Sequence, residues 1–147
     1  MLCATFFLEI YMKIIQIIGL PCSGKSTAIK SYIKQNKKIN YIDIASYSGP
    51  NKFNLYKKNI LKSSNSIIAE SANGIAINSS YVIKLDIARQ VLYQRTIQRD
   101  GKLDESFISL LESNMIASQY TVHNEKALHA ILNALLGADK KCNSFVI

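Results

Sequence analysis

The sequence predicts an α/β fold in which helices cover both faces of a parallel β-sheet. Short runs of β-branched and apolar residues alternate along the chain with segments whose apolar residues recur at helical spacing. A glycine-rich loop joins the first run to the first helical segment, and charged side chains directly follow several of the other runs. Regular alternation of strands and helices favours a parallel sheet, and the carboxyl ends of its strands are the usual place for ligands.

Length and composition indicate one domain. With 147 residues, 48% of them hydrophobic, the chain can bury one substantial core. Its three cysteines, Cys3, Cys22 and Cys142, are odd in number and lack the spacing of zinc ligands. Neither a disulfide framework nor a zinc site is therefore expected, and a reducing, cytoplasmic setting fits this cysteine content.

The domain is expected to span residues 12–137. Residues 1–11 are apolar, but they are interrupted by Glu9, lack a basic start and are too short to cross a bilayer. We interpret residues 1–11 as an N-terminal extension outside the fold and residues 138–147 as a C-terminal tail. No other segment is apolar over a length that could span a membrane, so no membrane partner is expected.

The first half of the domain reads as three strands and two helices. Residues 14–18 form a β-branched run, and residues 39–44 form a second strand. Residues 66–69 are typical of a buried strand and run into Glu70. Between the second and third of these strands, residues 51–62 have the spacing of a short helix after a Ser-Gly-Pro turn. The helix after the first strand has four apolar residues on one face, namely Ala28, Ile29, Tyr32 and Ile33.

The second half continues this alternation. Residues 81–85 are a fourth strand that ends at Asp86, and residues 120–122 are a short fifth strand. Asp104 is placed to cap a helix that runs to about Ser118, and a last helix ends at Gly137. The residues expected to face inward are Phe107, Leu110, Leu111 and Met115 in the first of these helices, and Leu128, Ile131, Leu132 and Leu135 in the second.

The loop after the first strand reads G-x-x-x-x-G-K-S from Gly19 to Ser26. In this P-loop pattern the glycines let backbone N–H groups surround the β- and γ-phosphates of a nucleotide, and Lys25 reaches the same phosphates. The Ser26 hydroxyl is a ligand for Mg²⁺. A plain connecting turn has no use for Lys and Ser at these two positions. The motif therefore predicts that ATP and Mg²⁺ are bound by Gly19, Cys22, Ser23, Gly24, Lys25, Ser26 and Thr27.

Residues 88–99 form a helix whose apolar stripe continues into two arginines. The apolar stripe consists of Ala88, Val91 and Leu92, and Arg95 and Arg99 extend it by the i, i+3, i+4, i+7 rule. Since a buried guanidinium needs an anion, we expect a phosphate or a carboxylate beside this stripe. The alternative is that both side chains extend to the surface and pair with Asp or Glu.

Titratable side chains fall at the ends of four predicted strands. These residues are Asp43, Glu70, Asp86 and His123. The carboxyl ends of parallel strands share one edge of a sheet, and the P-loop lies at the same edge. The convergence of these side chains on the P-loop predicts an active site there.

With these motifs in place, the chain resembles the small P-loop kinases of the nucleoside and nucleotide kinase group, in the adenylate-kinase-like branch. The likeness is carried by residues 17–27 and by the strand into Glu70. It is carried further by Arg95 and Arg99 after the fourth strand and by residues 120–124. The resemblance implies a three-layer P-loop NTPase fold whose five-stranded parallel sheet has the strand order 2-3-1-4-5.

The resemblance also implies roles for single residues. Glu70 would lie near the Mg²⁺ ion, while Arg95 and Arg99 would neutralise the transferring phosphoryl group together with Lys25. The loop around Asn124 would pack against the adenine. Asp43 would hold the acceptor or take its hydroxyl proton. These parts suit phosphoryl transfer, which depends on in-line positioning and on charge neutralisation.

The predicted function is ATP- and Mg²⁺-dependent phosphoryl transfer to a small acceptor, a nucleoside or a nucleoside monophosphate. Only a short lid fits into residues 100–103, which leaves open the acceptor, the general base and the efficiency of transfer. One alternative is an ATP-binding protein that does not transfer phosphate. Another is a polynucleotide 5′-kinase, because the formal net charge of +8 favours nucleic acid. Both a monomer and a homodimer are compatible with the sequence.

Overall fold

A computed structural model of the chain describes residues 13–36 and 38–137. The proposed N-terminal extension, residues 1–11, and the proposed tail, residues 138–147, lie outside the described residues. Five parallel strands form one sheet in the order β2-β3-β1-β4-β5, so the predicted fold class and strand order are confirmed. The strands are β1 Ile14–Ile18, β2 Asn40–Asp43, β3 Ile67–Ser71, β4 Tyr81–Leu85 and β5 Tyr120–Val122.

Helices connect the strands and flank the sheet. A short 3₁₀ helix, Ile44–Ser46, directly follows β2. No helix among the described residues is long and apolar enough to cross a membrane. The α-helices are α1 Lys25–Gln35, α2 Lys52–Lys62, α3 Arg89–Asp100, α4 Glu105–Ser113 and α5 Glu125–Leu136.

Two apolar clusters cover the two faces of the sheet. The larger cluster packs α1 and α5 on one face through residues that include Ile17, Ile29 and Leu132. The smaller cluster packs α2 on the other face through Tyr56 and Ile60, which are both fully buried. Because β1 lies between β3 and β4, all five of its residues are buried, as expected for a central parallel strand.

One polar side chain lies in the middle of this central strand. Gln16 is fully buried, and its amide nitrogen donates to the carbonyl oxygen of Ile75 at 3.1 Å and to Ser79 Oγ at 3.3 Å. Its amide oxygen accepts from the N–H of Ile75 at 3.0 Å. Gln16 therefore fixes the segment between β3 and β4 against the sheet, and this segment borders the carboxyl edge.

The inward face predicted for the helix after Asp104 is partly wrong. Ile108 is its buried residue, whereas Phe107 is 50% exposed and Leu110 is 58% exposed. Leu111 and Met115 pack against a small cluster around Ile108, as predicted. The helix is also shorter than predicted, since α4 ends at Ser113. The helix therefore packs through Ile108 and Leu111 and leaves Phe107 and Leu110 exposed.

Candidate functional site

The loop between β1 and α1 has a backbone that suits the binding of an anion. Cys22 has a φ of 68°, in the left-handed region that residues with a side chain seldom adopt. Gly24 has a φ of 93° and is the N-cap of α1, so the unpaired N–H groups of the helix start face the loop. At Gly19, a Cβ atom would lie 2.6 Å from the carbonyl oxygen of Leu85, which leaves no room for a side chain.

Lys25 is buried inside this loop. Only 7% of the residue is exposed, and its Nζ donates to the carbonyl oxygens of Gly19 at 2.6 Å and Leu20 at 3.1 Å. Burial lowers the pKa of the Lys25 ammonium, while the nearby carboxylates of Glu70 and Asp43 act in the opposite direction. The loop therefore holds a positive charge in place with carbonyl dipoles.

Ser23 provides a test of whether the loop fits a ligand. Ser23 is 4% exposed, and its Oγ is buried with no hydrogen-bond partner among the described residues. Buried hydroxyl groups are nearly always paired, since desolvating one without a partner costs about 1–3 kcal/mol. An anion seated in the loop would supply the missing acceptor. The residues present therefore fit a bound polyphosphate.

The hydroxyl groups of Ser26 and Tyr41 both contact the carboxylate of Glu70. The Ser26 hydroxyl lies 2.8 Å from Glu70 Oε2 and 3.0 Å from Glu70 Oε1, and the Tyr41 hydroxyl also donates to Oε1. Glu70 is 6% exposed. Burial raises the pKa of the Tyr41 hydroxyl, and its hydrogen bond to the carboxylate raises it further. Two of these residues were proposed from the sequence as metal ligands, but Tyr41 was missed.

The hydroxyl and carboxylate oxygens of Ser26 and Glu70 are of the kind that Mg²⁺ prefers. Among the described residues, no group of three or more His, Cys, Asp or Glu could hold a metal ion alone. A Mg²⁺ ion at this place would therefore take its other ligands from phosphate oxygens and water, as is usual for nucleotide-bound magnesium. The oxygen atoms of these two side chains fit the ion.

Asp43 lies level with Glu70 on the neighbouring strand, since the two are register partners in β2 and β3. Its Oδ1 accepts a hydrogen bond from the N–H of Ala45 at 3.0 Å and so caps the 3₁₀ helix. The carboxylate is half-buried and close enough to favour the charged form of Lys25. Asp43 is thus held at the carboxyl edge, beside the P-loop lysine.

A cavity of about 830 Å³ opens beside the loop, between α3 and the start of α5. Ser23, Gly24 and Thr27 line it on the loop side, and Arg95 and Arg99 line it on the side of α3. A volume of this size is typical of sites that take up small molecules. The exposed side chain of Thr27 lies at its mouth.

The arginine stripe of α3 faces this cavity and not the core. Leu92 is the buried residue of the helix, whereas Val91 is 38% exposed and both arginines are exposed. Arg95 Nη1 donates to the carbonyl oxygen of Cys22 at 3.4 Å, and Arg99 Nε pairs with Asp100 at 2.8 Å. The two guanidiniums are therefore exposed and not buried, they border an open site, and Arg99 pairs with the surface carboxylate of Asp100. A contact between these arginines and a phosphate stays a prediction.

The far wall of the cavity comes from the loop after β5. Asn124 is the N-cap of α5, and its Oδ1 accepts from the N–H of Ala127 at 2.8 Å. His123 Nδ1 lies 2.7 Å from the carbonyl oxygen of Asp86, so the ring is fixed beside the cavity. At Asp86, the backbone carbonyl makes this contact, and the side chain is exposed. Asp43 and Glu70 thus lie near the Lys25 ammonium, whereas His123 lines the cavity and Asp86 holds its ring through a backbone carbonyl.

Comparisons with known proteins bear on the fold. No protein-family model matches the sequence, and no curated protein sequence does either. Among solved structures, the shikimate kinase from Bacteroides thetaiotaomicron superimposes with a TM-score of 0.59 at 17% identity, over 86% of this chain and 99% of that kinase. The gluconokinase from Sinorhizobium meliloti 1021 gives a TM-score of 0.58 at 13% identity, over 92% of this chain and 97% of that kinase.

A third similar structure is the shikimate kinase from Aquifex aeolicus vf5. Its TM-score is 0.54 at 20% identity, over 85% of this chain and 97% of that kinase. At these identities the likeness concerns the fold. The chain therefore has the fold of small P-loop kinases over nearly its whole described length, and the expected resemblance is confirmed at that level. Membership of the adenylate-kinase-like branch stays a prediction.

Proposed function

We propose that the protein binds ATP together with Mg²⁺ and transfers the terminal phosphoryl group to a small acceptor. The observation that carries this proposal is the buried ammonium of Lys25, held by two loop carbonyls next to the hydroxyl of Ser23, which has no hydrogen-bond partner among residues 13–36 and 38–137. A positive charge and a hydroxyl lacking a partner are both satisfied by the oxygens of a polyphosphate. The kinase names of the similar structures agree with this reading.

Each polar group of the loop has a role in this mechanism. Lys25 exchanges its bonds to the Gly19 and Leu20 carbonyls for bonds to phosphate oxygens, and the N–H groups at the start of α1 hold the same phosphates. Ser26 and Glu70 hold the Mg²⁺ ion. When bound, the ion neutralises charge on the phosphates. Preorganised charges of this kind accelerate transfer because they need no rearrangement in the transition state.

The remaining site residues surround the nucleotide and the acceptor. Arg95 and Arg99 contribute positive charge from the opposite wall of the cavity, where the transferring group develops negative charge. Asn124 holds the start of α5 against the adenine. Asp43 is placed at the carboxyl edge to orient the acceptor hydroxyl and to accept its proton.

We propose a nucleoside or nucleoside monophosphate as the acceptor, and the names of the similar structures extend the panel worth testing to shikimate and gluconate. The experiment is a thermal-shift screen of these acceptors with and without Mg-ATP, followed by an assay of ADP formation. A ligand that binds the native state raises the midpoint of unfolding by mass action. An acceptor-dependent rise in ADP is expected for one compound class.

A matched pair of lysine variants tests the site. Lys25→Ala should abolish ATP binding and ADP formation, because it removes the ammonium inside the loop. Lys30→Ala, an exposed lysine on the same helix, should leave both unchanged. Equal ATP affinity in the two variants would contradict the proposal.

A second candidate function is ATP binding without transfer. The connection between α3 and α4 comprises only residues 101–104, which is a short segment for covering a bound nucleotide and excluding water. Tight binding of Mg-ATP with no ADP formation against any acceptor in the panel would favour this candidate.

A further inference from the structure

The hydroxyl of Tyr41 reaches the carboxylate of Glu70 from the neighbouring strand. Tyr41 lies two residues before Asp43 in β2, and Asp43 is the register partner of Glu70 in β3. Since side chains alternate along a strand, Tyr41 and Glu70 project from the same face of the sheet, toward α1. The ring of Tyr41 packs against the larger apolar cluster, so the position of its hydroxyl is set by the core.

Glu70 is held at two separate points. The Tyr56 hydroxyl, from α2, donates to the backbone carbonyl oxygen of Glu70 at 2.7 Å, which fixes the main chain. On the opposite face of the sheet, the carboxylate accepts from Ser26 and from Tyr41. Tyr56 therefore supports the strand, whereas Tyr41 and Ser26 determine where the carboxylate points.

The two partners of the carboxylate differ in what they must do when a nucleotide binds. In the proposed function the Ser26 oxygen becomes a ligand of the cation, so its contact with Glu70 changes. The Tyr41 hydroxyl is not a proposed ligand of the cation. Its hydroxyl occupies one side of Oε1 and leaves Oε2 available, since a carboxylate has about four lone-pair sites. Tyr41 is therefore the partner that keeps Glu70 in place while Ser26 moves.

We propose that Tyr41 is a positioning residue that orients Glu70 for the divalent cation accompanying the nucleotide. This inference rests on the proposed function, because it concerns the same ATP and Mg²⁺ site. Hydrogen-bond partners of metal ligands contribute to metal affinity through ligand orientation. Without the Tyr41 hydroxyl, the Glu70 carboxylate loses its stationary partner and can turn toward the charge of Lys25, whose ammonium it already influences. Removal of this hydroxyl should therefore weaken the affinity for the cation.

The test uses Tyr41→Phe, with Mn²⁺ as the metal probe. Mn²⁺ is titrated by electron paramagnetic resonance into the protein saturated with a non-hydrolysable ATP analogue. Loss of the hydroxyl should weaken Mn²⁺ affinity by about tenfold. The affinity for the analogue measured in EDTA should stay unchanged, because the Tyr41 hydroxyl donates to Glu70, which is proposed as a ligand of the cation and not of the phosphates. A purely structural role would lower both affinities together.

Two tyrosines supply matched controls. Tyr32→Phe removes a hydroxyl that bonds Asn133 Oδ1 at 3.1 Å on the same face of the sheet. Tyr56→Phe removes the hydroxyl that bonds the backbone of Glu70. Both variants should lose stability and keep the Mn²⁺ affinity of the wild type. If either of them weakens Mn²⁺ binding as much as Tyr41→Phe does, the assignment to Tyr41 is overturned.

A double variant shows whether Tyr41 acts through Glu70. In a Glu70→Gln background, Tyr41→Phe should have no further effect on Mn²⁺ affinity, because the oriented carboxylate is already gone. A further loss in the double variant would contradict a positioning role. Should Tyr41→Phe fail to fold, the wild type remains informative. Bound Mn²⁺ is expected to broaden the ring resonances of Tyr41 more strongly than those of Tyr32, and equal broadening would overturn the inference.

Failure of this inference is distinguishable from failure of the proposed function. A wild-type protein that binds neither ATP nor its analogue contradicts the proposed function itself. A wild type that binds the analogue and Mn²⁺, together with a Tyr41→Phe variant of equal Mn²⁺ affinity, contradicts the role of Tyr41 alone.

Discussion

The ammonium nitrogen of Lys25 lies 2.6 Å from the carbonyl oxygen of Gly19. Gly19 is the first residue of the G-x-x-x-x-G-K-S motif, and Lys25 is the next to last. The carbonyl groups of Gly19 and Leu20 thus hold the Lys25 ammonium inside the loop. Burial makes the charged form of this lysine less favourable than in water, whereas the two carbonyl dipoles and the nearby carboxylates offset part of that cost.

The first prediction concerns the pH dependence of stability at Lys25. Its folded-state pKa is lowered from the ordinary value of 10.5, so between these two pKa values the unfolded chain binds more protons than the native one. Stability from this residue therefore rises as pH increases through that window. Urea unfolding of wild type and Lys25→Met at pH 8, 9 and 10 should show the wild type gaining free energy of unfolding relative to the variant. A constant difference across this range would contradict the prediction.

The second prediction concerns the close approach at Gly19. Gly19→Ala places a Cβ atom 2.6 Å from the backbone oxygen of Leu85, so the loop must shift. We expect a loss of about 1–3 kcal/mol in the free energy of unfolding from overpacking, together with weaker ATP binding. Gly49→Ala is the control, since nothing lies within 4 Å of its Cβ position and it is far from the motif in sequence. It should lose stability through its positive φ and bind ATP normally.

The third prediction concerns the buried amide of Gln16. Gln16→Leu removes three hydrogen bonds and leaves the backbone N–H of Ile75 without its partner. Chemical denaturation should show a loss of about 2 kcal/mol, and limited proteolysis should cleave the segment between β3 and β4 faster than in the wild type. Gln35→Leu, at an exposed position, should be nearly neutral. Equal effects at both positions would show that the contacts of Gln16 are not what matters.

The fourth prediction separates capping from ligand binding at Asn124. Asn124 caps α5 and lines the cavity, whereas Asp104 caps α4 through the N–H of Phe107 and does not line it. Replacing either residue with Ala should lower the free energy of unfolding by about 1 kcal/mol. Only Asn124→Ala should also weaken ATP binding. Isothermal titration of both variants measures this, and equal ATP affinities would remove Asn124 from the nucleotide site.

The strands were the most predictable part of the fold. Runs such as Ile14 to Ile18 have strand length and no helical spacing, and all five strands lie where such runs occur. The strand order followed from the resemblance to P-loop kinases, because sequence patterns do not specify which strands are neighbours. Residues with charged side chains at strand ends could be assigned to one edge of the sheet, since a parallel sheet brings those ends together.

Other features depend on contacts that no local pattern encodes. The β-branched run of β1 predicts a strand whether or not Gln16 has hydrogen-bond partners. The bonds from Gln16 to the segment between β3 and β4 were therefore missed. Tyr41 was read only as a strand residue, because its link to Glu70 depends on the register of β2 against β3. The inward face of α4 was misjudged at Phe107 and Leu110, since exposure there depends on how little of α4 the rest of the domain covers.

Cys22, which has a left-handed backbone, offers its thiol as an attachment site for a spectroscopic probe. Its half-buried thiol lines the cavity beside the P-loop. A small environment-sensitive fluorophore attached to Cys22, in a chain whose Cys3 and Cys142 are replaced by Ser, would report occupancy of the cavity through its emission. Competition between the reagent and Mg-ATP for access to this thiol would then measure nucleotide binding without any knowledge of the acceptor.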